Sequence, residues 1–357
     1  MIRTARLLSM ALALVAAALL AGCGEKPEPS AGATSSGHRD AMRVMLDYLP
    51  NADHAGLFES KAKGDYDRAG LDVTLQSPPD PAAPLKLLQA GRVDLAISYE
   101  PELLLARDKG ATDLVAVAAL VQKPLTSLMS IGKNPIRNPS QLQGKRVGTA
   151  GIPYQSAYLK TIAKRAKVDP SSIDETNVGF NLVPAMLSGR VDATLGAYWN
   201  YEAIDLQRRG KQPVALRMDQ LGIPTYAELV VVARKQDLDE AGASRVRRFL
   251  QATATGYRAV RSDPQAGVDA LTQANKDLDA GLQLASIKAT NPVFFPASRR
   301  LPWGYQDRAS WDRYALWMKR NGLLEGQPNG GAALTTEFLP GQQLDPGPSG
   351  LDAPGTG

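Results

Sequence analysis

Residues 85–99, LKLLQAGRVDLAISY, decide the fold class of this chain, because their pattern returns at residues 183–198, VPAMLSGRVDATLGAY. Each copy contains a short apolar helix, then Gly-Arg-Val-Asp, then an apolar strand, so that Gly91–Asp94 recurs as Gly189–Asp192. The glycine permits the left-handed turn that ends a helix, and the aspartate begins the strand. Each copy alone is also common turn chemistry, but the pair in matching context predicts two similar lobes.

Strands and helices alternate on both sides of the two copies. Short apolar runs predict strands at residues 43–49, 71–75, 93–99, 114–121, 127–131, 146–149, 175–178, 191–197 and 226–234. Helical patterns occupy residues 51–63, 80–90, 100–109, 154–166, 182–187 and 202–208, and almost all of 237–328. This alternation is typical of an α/β fold with largely parallel sheets.

The predicted elements divide into two lobes. At about 150 residues per domain, 357 residues favour two domains. We expect the chain to cross between them near residues 123–133 and 223–235. Lobe 1 is then residues 42–125 plus 236–340, and lobe 2 is residues 126–235. Two α/β lobes joined by two crossings form a cleft that captures a ligand by hinged closure.

Composition excludes several classes of function. Hydrophobic residues make up 44% of the chain and charged residues 22%, an ordinary globular balance. The net charge of +5 is small and scattered, so we expect no nucleic-acid partner. One cysteine and two histidines allow neither an intramolecular disulfide nor a Cys/His metal cluster. We therefore predict no metal and no cofactor, although the composition leaves a carboxylate-only metal site open.

The N-terminus has the pattern of a lipoprotein signal peptide. Residues 1–22 contain Arg3, Arg6 and an apolar run too short to span a bilayer, and they end in Leu-Ala-Gly before Cys23. We expect cleavage before Cys23, a lipid on its thiol, and an extracytoplasmic protein anchored to the bacterial cell membrane. The alternative is a signal peptide with a chance cysteine. Residues 23–41 are predicted to be a flexible tether, and residues 341–357 a disordered tail.

Several motifs resemble one family. They are Leu46–Leu57 (LDYLPNADHAGL), both Gly-Arg-Val-Asp segments, Ser98–Glu100, Leu142–Gly148 (LQGKRVG), Gly196–Asn200 (GAYWN) and Pro224–Leu229 (PTYAEL). Across about residues 42–330 the chain resembles the substrate-binding proteins of ABC importers for thiamine pyrimidine precursors, sulfonates and nitrate, and most of all the aminopyrimidine binders.

The resemblance implies a fold, a function and partners. The fold is the periplasmic-binding-protein type II fold, with two α/β lobes, a hinge and a cleft. The function is capture of a hydroxymethylpyrimidine or formylaminopyrimidine type of precursor. The partners are an ABC permease and its ATPase, and we expect the protein to be a monomer. The same module with a sulfonate, a nitrate-like anion or a flavin-like heterocycle is the alternative.

The resemblance also extends to an enzyme, the pyrimidine phosphate synthase of thiamine biosynthesis. That enzyme uses an active-site histidine, a lysine and a cysteine-rich motif. The matching stretches here, Leu95–Glu102 and Pro224–Leu229, contain no lysine, histidine or cysteine. We therefore predict a binding protein without catalytic residues and keep the synthase as the less favoured alternative.

An aminopyrimidine site needs flat stacking surfaces and carboxylates that accept from the exocyclic amine. Trp199 with Tyr48 or Tyr99 are the predicted stacking residues, and Glu100 and Glu228 the predicted acceptors. Further candidates at the cleft edge are Asn51, His54, Tyr154 and Tyr226, with Tyr198 and Glu202 beside Trp199. The alternatives are packing roles for the tyrosines, a structural imidazole for His54 and helix-dipole or strand-surface roles for the acids.

One loop offers a different chemistry. Gly148–Pro153 precedes a predicted helix, and the N–H groups of such loops bind phosphate, sulfonate or carboxylate groups. It lacks the P-loop pattern. The alternative is an ordinary strand-to-helix turn.

Overall fold

The computed structural model describes residues 39–341. The predicted signal peptide, Cys23, nearly all of the tether and all but the first residue of the tail lie outside the described residues. Within residues 39–341, no helix is both long and apolar enough to cross a membrane.

Two five-stranded sheets form the framework. The first has the strand order β2-β1-β3-β10-β4, and its strands are β1 (Asp40–Met45), β2 (Leu71–Gln76), β3 (Leu95–Ser98), β4 (Leu114–Val121) and β10 (Leu229–Arg234). β1 pairs in parallel with β2 and β3, while β10 is antiparallel to both β3 and β4. Four strands therefore run one way and only β10 runs against them.

The second sheet repeats this plan. Its order is β7-β6-β8-β5-β9, and its strands are β5 (Thr126–Ser130), β6 (Arg146–Thr149), β7 (Asp174–Asn177), β8 (Ala193–Tyr198) and β9 (Val214–Arg217). β6 pairs in parallel with β7 and β8, and β5 is antiparallel to β8 and β9. The largely parallel α/β architecture predicted from the alternation is confirmed.

Helices cover the sheets. They are α1 (Ala55–Ala62), α2 (Asp65–Arg68), α3 (Pro84–Gln89), α4 (Glu100–Asp108), α5 (Pro153–Arg165), α6 (Leu182–Leu187), α7 (Glu202–Arg208), α8 (Glu240–Ser262), α9 (Pro264–Ala274), α10 (Ala280–Thr290) and α11 (Arg308–Arg320). Every residue of β4 is buried. This strand lies under helices and loops, which is why it reads as a continuous apolar run rather than an alternating one.

The two Gly-Arg-Val-Asp segments have the same local structure. Gly91 and Gly189 both have left-handed φ angles, of 70° and 69°. Asp94 accepts hydrogen bonds from the backbone N–H and the guanidinium of Arg43, and Asp192 does the same with Arg146. Each aspartate therefore ties the start of one strand to its parallel neighbour, and the repeated tetrapeptide is explained by folding.

Some boundaries differ from the sequence predictions. β1 begins at Asp40 and ends at Met45, so the predicted strand at residues 43–49 is wrong in its bounds and Tyr48 lies after the strand. Asn51 caps a 3₁₀ turn, Ala52–His54, that precedes α1. The strand β9 is missing from the predictions, because its apolar run is only three residues long, and none of its residues is fully buried.

The chain passes from the first sheet to the second through residues 122–125 and returns through residues 218–228. Both connections run beside each other, since Glu228 accepts hydrogen bonds from the backbone N–H groups of Leu125 and Thr126. The exact residues at which the lobes divide remain a prediction.

Candidate functional site

A small pocket, with about 370 Å³ of empty space including the part open to solvent, lies where the carboxyl ends of parallel strands from both sheets face each other. Open α/β sheets bind ligands at this edge. Its lining residues are Asp47, Tyr48, Asn51, Tyr99, Ala150, Ile152, Gln155, Leu182, Gly196, Tyr198, Tyr201 and Glu202. Asp47, Tyr48 and Asn51 follow β1, and Tyr99 follows β3. On the side of the second sheet, Ala150 and Ile152 follow β6, Gly196 and Tyr198 lie in β8, and Tyr201 and Glu202 follow β8.

A buried carboxylate, Asp47, organises the wall on the side of the first sheet. Its Oδ1 lies 2.8 Å from His54 Nε2, and its Oδ2 accepts from the Tyr99 hydroxyl at 2.8 Å. The other ring nitrogen, His54 Nδ1, accepts from the backbone N–H of Asn51. Because Nδ1 accepts, the proton of a neutral ring lies on Nε2 and is donated to Asp47. The imidazole thereby fixes the carboxylate.

A second carboxyl group, Glu202, stands on the opposite wall. Glu202 begins α7, and its Oε2 accepts from the backbone N–H of Tyr198 at 2.7 Å. Removal from water raises the pKa of Glu202 to about 7. The phenols of Tyr198 and Tyr201 flank it in the cavity lining. The two walls together present carboxyl groups and tyrosine rings to one small space.

The floor of the cavity depends on a glycine. Gly196 lies within β8 with a φ of +124°, and a Cβ atom there would come within 2.5 Å of Gln155 Nε2. Gln155 is buried and its Oε1 accepts from the backbone N–H of Ala150. The Gln155 amide therefore fits in this position only because Gly196 has no side chain.

The two walls meet at the mouth of the cavity. The Tyr48 hydroxyl donates to the carbonyl oxygen of Gly179 at 3.4 Å, and the rings of Tyr48 and Phe180 pack edge to face with centroids 4.8 Å apart. Outside them lies a wider groove, to which Leu49 and Val183 also contribute. Tyr48 lines both this groove and the cavity.

Three of the nine predicted ligand-binding residues line the cavity, namely Tyr48, Asn51 and Tyr99. Tyr198 and Glu202, named with them at the cleft edge, do so too. The other six lie nearby but outside the lining. They are His54, Glu100, Tyr154, Trp199, Tyr226 and Glu228.

Glu100 faces a different space. It begins α4 and its Oε2 accepts from the backbone N–H of Ala227 at 2.7 Å. Burial raises the pKa of Glu100 to about 8. It lines an open groove with Gln122 and Thr225, on the side of the connections away from the candidate cavity.

Glu228 holds the two connections between the sheets together. Its carboxylate accepts from the N–H groups of Leu125 and Thr126, from the Thr126 hydroxyl and from the Tyr226 hydroxyl. Burial raises the pKa of Glu228, and these hydrogen bonds act against the rise. All its partners are donors, so its lone pairs serve groups at the two connections rather than the cavity.

Tyr154 and Tyr226 belong to a buried row of rings. Ring centroids are 5.2 Å apart between Tyr99 and Tyr154 and again between Tyr154 and Tyr158, then 5.9 Å between Tyr158 and Tyr226. Only the first of these, Tyr99, lines the cavity. The row leads from the cavity back to the connections, where it packs against Tyr314.

Trp199 is turned away from the cavity. Its indole N–H donates to the carbonyl oxygen of Pro124 at 3.1 Å, and the guanidinium of Arg217 lies 4.0 Å from the ring centroid. One face of the ring is thus covered by a cation, and Trp199 is not among the residues that line the cavity.

One N–H donor of the Gly148–Pro153 loop, and another just after it, are already in use. The N–H of Ala150 is taken by Gln155, and the N–H of Tyr154, in the first turn of α5, lies 3.3 Å from the Glu102 carboxyl. Burial raises the pKa of Glu102 to about 7. Of this loop, Ala150 and Ile152 contribute to the cavity lining.

Sequence reasoning missed several lining residues. Asp47 lies in the motif Leu46–Leu57, and its position two residues after the end of β1 could have indicated a place at the cavity. Tyr201 and Gln155 carry no pattern of their own, because the first follows a turn and the second begins a helix. No group of three or more His, Cys, Asp or Glu residues within the described residues could hold a metal ion.

Comparison with known proteins identifies the family. Residues 51–267 match the model of the NMT1/THI5-like family. The formylaminopyrimidine-binding protein of Halalkalibacterium halodurans is 32% identical, over 80% of this chain and 87% of that protein. The chain belongs to the NMT1/THI5-like family. Another relative, the 4-amino-5-hydroxymethyl-2-methylpyrimidine phosphate synthase of Legionella pneumophila, is 23% identical over 85% of this chain and 93% of its own length.

Solved structures show the fold of this NMT1/THI5-like protein. The alkanesulfonate-binding protein of Xanthomonas axonopodis, bound to MOPS, superposes with a TM-score of 0.65 at 17% identity, covering 84% of this chain and all of that one. The predicted periplasmic-binding-protein type II fold is confirmed. The family thus includes proteins named as binders and proteins named as synthases, and the geometry of the cavity has to separate the two.

Proposed function

We propose that this chain is the solute-binding component of an ABC importer and that its ligand is an aminopyrimidine precursor of thiamine, of the formylamino or hydroxymethyl type. One observation carries the proposal: the cavity between the two sheets places Asp47 and Glu202 on opposite walls among the rings of Tyr48, Tyr99 and Tyr198. The name of the Halalkalibacterium relative supports it.

The chemistry of the walls suits an aminopyrimidine. Its ring is flat and packs against phenol rings, and its exocyclic amine donates two hydrogen bonds that carboxylate oxygens accept. The carboxylate of Asp47 is held in place by His54 and Tyr99, so it needs no reorganisation on binding. The Gln155 side chain offers an amide NH₂ group to a ring nitrogen, whereas the Asn51 amide already donates to the Leu49 carbonyl oxygen and accepts from the Asp53 N–H.

The anion alternative is less well supported. A sulfonate or nitrate site needs arginines, lysines or unused N–H groups. No lysine or arginine is among the residues that line the cavity, and the N–H groups of Ala150 and Tyr154 already have acceptors. The carboxyl groups of Asp47 and Glu202 would repel an anion.

The synthase alternative lacks its chemistry at this site. None of the lining residues is a lysine, cysteine or histidine. His54 lies behind Asp47, fully buried, with both ring nitrogens engaged. We therefore propose a binding protein rather than an enzyme.

The remaining features of the proposal concern the whole protein. Residues 42–125 plus 236–340 form lobe 1 and residues 126–235 form lobe 2, which close on the ligand around the two connections. A lipid on Cys23 anchors the protein outside the cytoplasm, and the closed monomer delivers its ligand to a permease and ATPase pair.

Calorimetric titration of residues 38–340 tests the ligand. The probes are formylaminopyrimidine, hydroxymethyl-aminopyrimidine, thiamine, riboflavin and taurine. We expect one of the two pyrimidines to bind with a Kd below about 1 μM, a free energy of about −8 kcal/mol. Binding of taurine or riboflavin without either pyrimidine would contradict the proposal.

The matched variants are Tyr48→Ala and Trp199→Ala. Tyr48 lines the cavity and Trp199 does not, although both are half-buried aromatic residues beside it. We expect Tyr48→Ala to weaken binding at least tenfold and Trp199→Ala to change it by less than about threefold. The reverse order would place the ligand elsewhere.

A further inference from the structure

A buried polar cluster lies directly behind the candidate cavity. The Asn200 amide nitrogen donates to Asp53 Oδ1 at 2.8 Å and contacts Thr290 Oγ1 at 2.6 Å. The Thr290 hydroxyl also lies 3.1 Å from Asp53 Oδ1. Asp53 is 1% exposed, and Asn200 and Thr290 are fully buried. A carboxyl group thus lies at a contact that water does not reach.

The cluster joins the two sides of the cleft. Asn200 follows β8 of the second sheet, whereas Asp53 precedes α1 and Thr290 ends α10, both on the side of the first sheet. Beside it, Gln283 of α10 donates to the hydroxyl of Tyr201, a cavity residue. Opening of the cleft therefore breaks the contact between Asn200 and Asp53 and admits water to the carboxyl group.

Oxygen atoms in this cluster lack hydrogen-bond donors. Asp53 Oδ2, Asn200 Oδ1 and Gln283 Oε1 are all buried and have no hydrogen-bond partner within residues 39–341. An ionised carboxylate and an amide oxygen only accept, so neither satisfies the other. A proton on Asp53 supplies a donor and also removes a buried charge, whose burial without a cationic partner is costly.

The charged and titratable groups that face Asp53 are few. They are Asp47 and His54 on its own segment, Tyr257 of α8, whose hydroxyl donates to the Asp53 backbone carbonyl, and Tyr201 and Glu202 on the opposite side. The side chains that α10 presents here are uncharged, namely Thr290, Ser286 and Gln283. Lys288 of α10 and Asp269 of α9 are exposed. Arg208 pairs with Asp279 at the surface of the same contact.

We propose that Asp53 takes up a proton from solvent when Asn200 docks on it, so that closure of the cleft is coupled to protonation. The coupling rests on the proposed function, because closure is the step that captures the ligand. Burial raises the pKa of Asp53 from its ordinary 3.8 to about 7 in this closed form. Between those values the closed form binds a proton that the open form does not.

The sign of the effect follows from linkage. A group whose pKa is higher in the closed form favours closure at low pH, and its contribution is lost as pH rises through the higher pKa. The contribution of Asp53 to the association constant therefore falls about tenfold per pH unit between about pH 4.5 and pH 6.5, and levels off above about pH 7.

Proton uptake during ligand binding tests the coupling. Calorimetry with formylaminopyrimidine at pH 5.5 and 8.5, in buffers of different ionisation enthalpy, gives the number of protons bound. The test variant is Asp53→Asn, whose amide both accepts and donates as a protonated carboxyl does. The difference between wild type and D53N isolates Asp53, since Glu202 is present in both. We expect this difference to be about one proton per ligand bound at pH 5.5 and almost none at pH 8.5.

Asp72→Asn is the matched control, because Asp72 is an exposed residue of β2. It is expected to leave proton uptake unchanged. Equal uptake by wild type and D53N at pH 5.5 would overturn the proposal, as would a D53N association constant with the same pH dependence as wild type.

A measurement without ligand separates this proposal from the proposed function. Small-angle scattering of the unliganded protein at pH 5.5 and 8.5 reports cleft opening. We expect the wild type to be more compact at pH 5.5 than at pH 8.5, and D53N to show a clearly smaller difference, since only Glu202 then contributes. If no pyrimidine binds but this difference is seen, the coupling holds and the ligand assignment fails. If a pyrimidine binds and the difference is absent, the coupling fails alone.

Discussion

Three buried or half-buried glutamates of this protein have different roles, and their hydrogen bonds tell them apart. Glu228 accepts from four donors of the connections, and Glu100 accepts one bond from Ala227 while facing another groove. Glu202 accepts one bond from Tyr198 and reaches the cavity. A carboxyl group with unused accepting capacity at a cavity wall is the one that fits an exocyclic amine.

Substitution of Glu202 by glutamine tests this role. We expect about tenfold weaker binding of the pyrimidine at pH 8, because a hydrogen bond to an ionised acceptor is lost. Because the pKa of Glu202 is about 7, the defect should shrink as pH falls below 7 and the wild-type carboxyl becomes neutral. Titration at pH 5.5 and pH 8 measures both effects.

Glu240→Gln is the control for charge alone, since Glu240 is an exposed residue in the first turn of α8. It should bind as the wild type does. An E202Q defect of the same size at pH 5.5 and pH 8 would contradict an ionised Glu202 acceptor.

At the scale of elements, each sheet delivers its ligand-facing residues just beyond the carboxyl ends of parallel strands. β1 and β3 end before Asp47 and Tyr99, while β6 ends before Ala150 and β8 includes Gly196 and Tyr198. The Arg43–Asp94 and Arg146–Asp192 pairs fix the register at the opposite ends of these strands. The repeated plan thus places two similar edges face to face.

Gly196→Ala tests the packing of β8 against α5. The positive φ angle and the short distance to Gln155 both oppose a side chain, so we expect a loss of about 1–3 kcal/mol in the free energy of unfolding. Displacement of Gln155 should also weaken ligand binding. Chemical denaturation and titration measure the two effects.

Gly210→Ala separates strain from collision. Gly210 also has a positive φ, of 71°, but no atom lies within 4 Å of the position of its Cβ. It should destabilise the fold by a similar or smaller amount and leave binding unchanged. Unaltered binding by G196A would show that Gln155 does not shape the site.

At the scale of the whole molecule, a buried carboxylate joins the two connections between the sheets. Glu228 bonds both Leu125 and Thr126 on one connection and Tyr226 on its own. A hinge needs connections that keep their spacing while the lobes move. The row of tyrosines from Tyr99 to Tyr314 packs beside this point and couples it to the cavity.

Glu228→Gln tests the connection. The amide nitrogen fits only at the position of Oε1, where the Thr126 hydroxyl has to turn from donor to acceptor, and the two backbone N–H groups then donate to a neutral oxygen instead of a carboxylate. We expect a loss of about 2–3 kcal/mol in the free energy of unfolding. Thermal and urea unfolding measure it.

Glu100→Gln is the matched control, because a single bond from Ala227 survives in the amide. Burial raises the pKa of Glu100 to about 8, so the wild-type side chain is already neutral at pH 7 and the change should cost under about 1 kcal/mol. Equal losses for E228Q and E100Q would contradict the special role of Glu228.

The sequence by itself determined the alternation of strands and helices, the two copies of Gly-Arg-Val-Asp and the glycine turns, because these depend on local periodicity and backbone conformation. It also placed Tyr48, Asn51 and Tyr99 at the cavity, since residues that follow parallel strands share an edge. Only the tertiary structure decided which way each side chain faces. Trp199 turns to Arg217 and Glu228 to the backbone of Leu125, because partners distant in sequence satisfy them there. The role proposed for Asp53 depends on its hydrogen bond with Asn200, which is 147 positions away in the sequence.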